Sequence, residues 1–307
     1  MTLSAVFGSA AVLSALRERD CLVGGEKLVL DDAKPIHKAF PLVVNEQRYD
    51  VAELALVTFL QAFDAGRPLC LLPVTLLGRF QHHCLVTLEG SGVDLAHGLA
   101  GKRIGVRSWG QTTGVWVRGI LGDEFGVDVT GPEWVTYEGG HLAGARDPDF
   151  VTRAPAGARL PDDFLAGRVD VAILGNELPD DPRVRTVLPD PARAAASWYG
   201  RTGAIPVNHM AVVTDEIAAK HPDVVAELCG LLAGAAPPRP RIGSSPDFNP
   251  AGFAALAPSL DLAGRYAHRQ GLTSRAITTR EVRAKLEDLT GLDLGRVPPV
   301  VHNDVKP

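Results

Sequence analysis

The sequence predicts an α/β protein of two lobes with a ligand cleft between them. Three observations carry this. Residues 101–121 read as a strand, a polar loop and a helix; residues 3–19 open the chain on the same plan; and an Asp-Val-Ala segment occurs once in each half, at 50–52 and at 170–172. Repeated strand–loop–helix units imply parallel sheets with helices against their faces. Two crossings, near 90–93 and near 202–206, would make the first lobe discontinuous. Residues 1–90 and 206–307 would form lobe 1, and residues 91–205 lobe 2.

The elements follow in order. Residues 3–7 form a strand, Gly8-Ser9-Ala10 a tight turn and 11–19 a helix. Residues 27–30 form a strand. The segment 48–53 is a strand end that runs into an apolar helix through Phe63. Strands are expected at 71–74 and 84–87. In 101–121, Ile104 and Val106 alternate against small or charged neighbours, as a strand does. Ser108, Thr112 and Thr113 are helix-capping types, Val117, Ile120, Leu121 and Phe125 recur at helical spacing, and Gly126 is a stop signal. The segment 168–173 reads as a buried parallel strand. Residues 179–190 read as a Pro/Asp-rich loop, 192–198 as a short helix and 211–213 as a strand. Residues 215–233 are helical, split by Pro222. The run 237–241 (Pro-Pro-Arg-Pro-Arg) is a loop. Helices at 251–270, interrupted at Pro258, and at 279–290 precede an extended tail from Val297.

Composition narrows the function classes. A chain of 307 residues can bury a large core, and no apolar run approaches the ~20 residues that span a bilayer. The net charge of −5, with basic residues scattered, gives no nucleic-acid footprint. The first residues carry no positive segment ahead of their apolar run, so no signal peptide is expected. Cys21, Cys70, Cys84 and Cys229 form no CxxC pair and read as reduced thilos of a cytoplasmic protein. No nucleotide-binding glycine motif, P-loop or Schiff-base lysine context is present, and no cofactor is expected.

Ligands of a two-lobed α/β protein sit at strand C-termini and helix N-termini facing the cleft. The loops that meet this description are 8–10, 53 onward, 79–83, 107–114, 138–141, 175–176 and 208–209. At 107–114, free helix N-terminal amides and hydroxyls point at one place, where a carboxylate or phosphate would bind. The same residues also suit an ordinary strand–helix corner in which the threonines only cap.

Several stretches carry a family resemblance. They include Tyr49-Asp50-Val51-Ala52-Glu53-Leu54, Leu72-Pro73-Val74 with Phe80-Gln81-His82, and the block Thr112-Thr113-Gly114-Val115-Trp116-Val117-Arg118-Gly119-Ile120-Leu121. Trp134-Val135-Thr136, Pro206-Val207-Asn208-His209 and Tyr266-Ala267-His268-Arg269-Gln270-Gly271-Leu272-Thr273 add to it. On these, the chain resembles the 4,5-dihydroxyphthalate decarboxylases, whose fold looks like that of type 2 periplasmic binding proteins. The block from Thr112 is the most specific part. The family carries an acidic residue at the first strand–helix turn and a further arginine beside the Phe-x-His segment; this chain has Gly8-Ser9-Ala10, and Gly78 and Gln81 around Arg79. The resemblance therefore implies fold and reaction type and leaves the substrate open.

It implies a cofactor-independent decarboxylase of a hydroxylated aromatic or heteroaromatic carboxylic acid, acting by ring protonation and then loss of CO2. Such chemistry needs a general acid, for which histidine is suited, and carboxylate anchors, for which arginine and helix N-termini are suited. His82 and His209 are the expected acids, converging on one cleft. His83, if the segment is extended, points away from His82. Glu53 either accepts a substrate hydroxyl proton or caps its helix. Arg107, Thr112 and Thr113 are the expected carboxylate anchors, with Arg79, His141, Ser9 and Asn208 as further contacts. Trp116 reads as packing between helix and sheet. A metal held by His82, Glu53 and His209 is the weaker reading, since no ligand spacing occurs within one element. The expected partner is a small aromatic carboxylate, with no nucleic acid or membrane involved and self-association left open. Two alternatives stay open: a non-catalytic binding protein for an aromatic carboxylate, and a menaquinone-pathway enzyme of the same fold.

Overall fold

A computed structural model of the chain describes residues 1–175, 178–235 and 246–297. Position 176, the loop 237–241 and the tail after Val297, all named in the sequence reading, lie outside the described residues. In chain order, β1 (Thr2–Val6), α1 (Ala10–Arg17), β2 (Leu22–Val23) and β3 (Glu26–Asp31) are followed by β4 (Val51–Ala55), which feeds α2 (Leu56–Asp64) without a loop. Then come β5 (Leu69–Gly78), β6 (Leu85–Leu88), β7 (Arg103–Val106), α3 (Thr112–Phe125), β8 (Glu133–Thr136), β9 (Val151–Arg153), α4 (Leu160–Leu165), β10 (Val171–Ile173), β11 (Val184–Thr186) and α5 (Pro191–Thr202). The chain returns through β12 (Val207–Thr214) and closes with α6 (Asp215–Lys220), α7 (Pro222–Ala235), α8 (Phe253–Arg269) and α9 (Thr279–Thr290).

These strands build two six-stranded mixed sheets, ordered β2-β3-β1-β4-β12-β5 and β11-β6-β10-β7-β8-β9. In the first, β1 is parallel to β3 and β4, and β12 lies antiparallel between β4 and β5. In the second, β7 is parallel to β8 and β10, and β6 lies antiparallel between β10 and β11. The fold is a two-lobed α/β architecture. The chain passes between sheets twice, from β5 to β6 and from α5 to β12.

Three local expectations are corrected. The first crossing comes before β6, not at 90–93, because buried Leu85 and Val86 pair with β10. The 179–190 segment contains a strand, β11, which closes the edge beside β6. Helix α8 runs through Pro258 without interruption. An interior proline removes a hydrogen bond and typically costs about 3 kcal/mol. Burial of Phe253 and Leu256 before it, and of Leu260, Leu262 and Ala263 after it, keeps the helix whole.

The block from Thr112 is where the C-terminal helices lock onto α3. Arg118, fully buried, donates to the Gln270 side chain (2.6 Å) and to the Trp109 carbonyl (2.5 Å), with its guanidinium 3.8 Å from the Trp109 ring centre. Gln270 in turn donates to the Val115 carbonyl (2.9 Å), and Trp116 donates to the Val207 carbonyl (2.9 Å). A Cβ at Gly119 would overlap the Tyr266 ring, so glycine is what lets α3 and α8 touch. Among the described residues, no helix is long and apolar enough to cross a membrane.

Candidate active site

Every residue of β4 is buried, and Glu53 is one of them. A carboxylate there needs partners, since an unpaired buried charge is strongly disfavoured. Glu53 has them on both oxygens. Oε2 accepts the backbone N–H groups of Gly8 (2.8 Å) and Ser9 (3.2 Å) at the start of α1. Oε1 lies 2.7 Å from Nδ1 of His209. Burial pushes the carboxyl pKa up; the hydrogen bond and charge of His209 and the two amides outweigh it and hold the pKa below its ordinary value. An ionised carboxylate only accepts, so Nδ1 of His209 carries the proton and Nε2 is left free. Glycine at position 8 is required by space, since a Cβ would lie 2.7 Å from that of Ile36.

The strand register aims His209. β12 is paired to β4 with His209 opposite Ala55, and its pairing to β5 slips on both sides of His209. Such irregularities re-aim side chains next to functional sites. The edge of Phe40 meets both His209 and His141, at 5.3 Å between ring centres in each case. His141 is fixed by Thr58 (2.8 Å to Nδ1), and Asn45 grips its loop through the His141 carbonyl and the Ala143 amide. Burial, then the charges of Arg107, His37 and His209, push the His141 pKa down to about 4. Burial, then Arg107, lowers His37 as well. The four basic groups His37, His141, His209 and Arg107 thus share one electrostatic neighbourhood.

Arg107 leaves β7 from the other sheet. Its Nε is buried without a hydrogen-bond partner, and the carboxylate of Glu138 is 3.6 Å away. A guanidinium N–H that makes no hydrogen bond, among imidazoles and with its carboxylate partner beyond hydrogen-bonding distance, is a place for an anion. The N-termini of α2 and α3 meet near this place and have no side-chain cap of their own. Thr112 Oγ1 instead accepts from the Val57 amide of α2 (3.3 Å), and Thr113 Oγ1 accepts from Asn208 Nδ2 (3.1 Å).

The structure therefore brings together Glu53, His209, His141 and Arg107 and redistributes the other expected residues. His82 does not converge with His209. Its ring packs edge-on to Phe80 and Trp198 and lines a different cavity, beside α5 and the end of α3. Residues 82–84 form a 3₁₀ turn, so the extended segment on which the His83 reading depended is absent, and the turn sets His82 against Phe80 and Trp198. His83, expected to point elsewhere, stands 3.2 Å from Arg79, whose guanidinium also donates to Cys84 Sγ. The Ser9 hydroxyl caps α1 through the Val12 amide (3.4 Å), and only its backbone N–H serves Glu53. The Asn208 side chain is buried between Thr113 and Gln81 Nε2 (2.5 Å) and ties the lobes together rather than facing the cleft. His37 and Phe40 were not foreseen. The available signal was their place after the C-terminal end of β3, beside the 8–10 turn. Among the described residues, no group of three or more His, Cys, Asp or Glu is arranged to hold a metal ion.

No family model matches the chain. It is 31% identical over 193 residues to a 4,5-dihydroxyphthalate decarboxylase of Comamonas testosteroni, covering 57% of this chain and 56% of that one. A 4,5-dihydroxyphthalate decarboxylase of Pseudomonas putida is 30% identical over 212 residues, covering 62% of this chain and 80% of that one. The match thus spans little more than half the length of the Comamonas relative. Among solved structures, the alkanesulfonate-binding protein SsuA of Xanthomonas axonopodis pv. citri superposes with a TM-score of 0.56 at 13% identity, over 92% of this chain and 97% of that one. The aliphatic sulphonate-binding SsuA of Escherichia coli gives 0.54 at 15% identity, over 95% and 99%. A Candida albicans protein with the generic periplasmic binding protein fold gives 0.52 at 11% identity, over the whole of both chains. These likenesses show the fold.

Proposed function

Since the chain belongs to the 4,5-dihydroxyphthalate decarboxylase family, we propose that it removes CO2 from a hydroxylated aromatic or heteroaromatic carboxylic acid without a cofactor. The observation that carries this reading is the 2.7 Å contact between His209 and buried Glu53. With both carboxylate oxygens engaged, Glu53 balances an imidazolium rather than taking a proton from substrate. The doubly protonated His209 delivers its Nε2 proton to the ring carbon that bears the carboxylate, while a ring hydroxyl donates electron density. The bond to CO2 then breaks and its electron pair restores the aromatic ring. Carboxylate has been exchanged for a proton, and the imidazole is reprotonated from solvent.

Arg107 holds a substrate carboxylate, with the hydroxyl protons of Thr112 and Thr113 as further donors. His141, kept neutral and fixed by Thr58, is the hydrogen-bond partner of a ring hydroxyl. The test is to incubate the pure protein with a panel of hydroxylated aromatic and heteroaromatic acids and to measure CO2 release and the mass of the product. We expect a loss of CO2 that depends on His209 and survives a chelator. Tight binding of such an acid with no CO2 released would instead make the chain a binding protein for aromatic carboxylates.

A further inference from the structure

A cavity of about 400 Å³ opens between the 82–84 turn, the C-terminal end of α3 and α5. It is lined by His82, Phe125, Leu188, Pro189, Ala194 and Arg193, among others. It is separate from the cleft. Thr112 and Glu124 mark the cleft and cavity ends of α3 and are 12 residues apart, about 18 Å along a helix axis.

The lining has three parts with different chemistry. His82 is only 3% exposed, and neither of its ring nitrogens has a hydrogen-bond partner. Buried polar groups are rarely left bare, and this one faces the cavity. Burial, then the charge of His83, lowers its pKa to about 4, so the ring is neutral and offers one donor and one acceptor. Phe125, Leu188, Pro189 and Ala194 supply apolar walls. At the side, Arg201 is ion-paired to Glu124, and exposed Arg193 is ion-paired to Asp190, itself a lining residue, at 3.6 Å, too long for a hydrogen bond, so the Arg193 guanidinium can still turn to a ligand carboxylate. The volume suits a single-ring ligand.

We propose that this cavity is a second small-molecule site for a single-ring aromatic acid bearing a hydroxyl, with the hydroxyl on His82 and the carboxylate on Arg193. The site does not depend on the reaction assigned to the cleft. It is tested by calorimetric titration of the intact protein with 4-hydroxybenzoate, in parallel with Arg107→Ala, His82→Phe and Ala194→Trp. Arg107→Ala weakens the cleft, Ala194→Trp fills the cavity, and His82→Phe removes the polar floor while keeping its bulk. The expected result is a binding event present in the wild type and in Arg107→Ala, and at least tenfold weaker in both His82→Phe and Ala194→Trp. Circular dichroism identifies any variant that fails to fold, and the remaining cavity variant then decides. Absence of a binding event with this pattern overturns the site, whether the only event seen is one lost in Arg107→Ala or none is seen at all. The cleft reading is judged separately by CO2 release.

Discussion

In each sheet an Asp-Val-Ala segment leads into a central strand; the chain continues as Glu53-Leu54 in β4 and as Ile173 at the end of β10. The sheets match strand for strand around them. β1 and β7 are the parallel neighbours on one side, and β12 and β6 the antiparallel neighbours on the other. By register, Ala5 stands opposite Val51 as Ile104 stands opposite Val171, so Gly8 corresponds to Arg107. Ala211 faces Glu53 as Leu85 faces Ile173, so His209 corresponds to His83. The first lobe keeps its strand extended through His209 and meets Glu53. The second lobe turns at 82–84, and His83 folds onto Arg79. One framework thus gives a carboxylate–imidazole pair in one lobe and, in the other, a guanidinium whose Nε has no hydrogen bond and whose ion partner Glu138 stands 3.6 Å away. In the proposed function the first supplies the proton donor and the second the anion anchor.

The largest expected effect comes from breaking the pair. His209→Asn and Glu53→Gln should stay folded and lose about 10²–10⁴ in turnover, the range for a positioned acid. Single-turnover assays on folded variants check this, and near-full turnover in either would make that residue structural. Next is Ile173→Glu, which imposes the first lobe's carboxylate on the second. Ile173 is packed in the apolar core of the second lobe and His83 is turned onto Arg79, and an uncompensated buried charge destabilises by about 3–5 kcal/mol. Denaturant unfolding reads the loss; a variant as stable as wild type would show that the second lobe can solvate a carboxylate. Then comes Arg107→Ala, which leaves the first lobe intact. Losing one charge-assisted hydrogen bond should weaken substrate binding by about 1.5–3 kcal/mol, read by equilibrium dialysis, with little change in unfolding.

The parts legible in the sequence were those written in short stretches. Strand–loop–helix openings, the Asp-Val-Ala repeats, Glu53 after one of them and His209 at the return crossing are all local patterns. What joins them is not local: the contact between Glu53 and His209 spans 156 positions and depends on β12 lying beside β4. His37 sits in a loop with no periodicity, and only its position at a strand end marks it. His82 was expected in the cleft because its loop lies at a lobe junction; the 3₁₀ turn at 82–84 instead packs its ring against Phe80 and Trp198. β11 was hidden for a similar reason, three residues flanked by Pro and Asp that form a strand only because β6 offers an edge.

The smallest expected effect separates two uses of one hydroxyl. Thr113 Oγ1 accepts from Asn208, whose carbonyl oxygen is held by Gln81, so a buried chain of three side chains crosses from one lobe to the other. The same hydroxyl has a proton to donate, and in the proposed function it serves the substrate carboxylate. Thr113→Val keeps the volume and removes both. The Asn208 amide would lose its acceptor, at about 1–2 kcal/mol for a buried unsatisfied donor, and the urea midpoint should fall with an unchanged slope. If the junction is the main role, affinity for the substrate carboxylate falls less than tenfold, because Arg107 remains. A fall in affinity as large as that of Arg107→Ala, with the unfolding midpoint unchanged, would show that Thr113 serves the ligand and that Asn208 finds another acceptor. Thr112→Val is the control on the same helix turn. It deprives another buried donor, the Val57 amide at the start of α2, of its acceptor, so its stability cost should be of the same order, about 1–2 kcal/mol, while the Asn208 link stays intact.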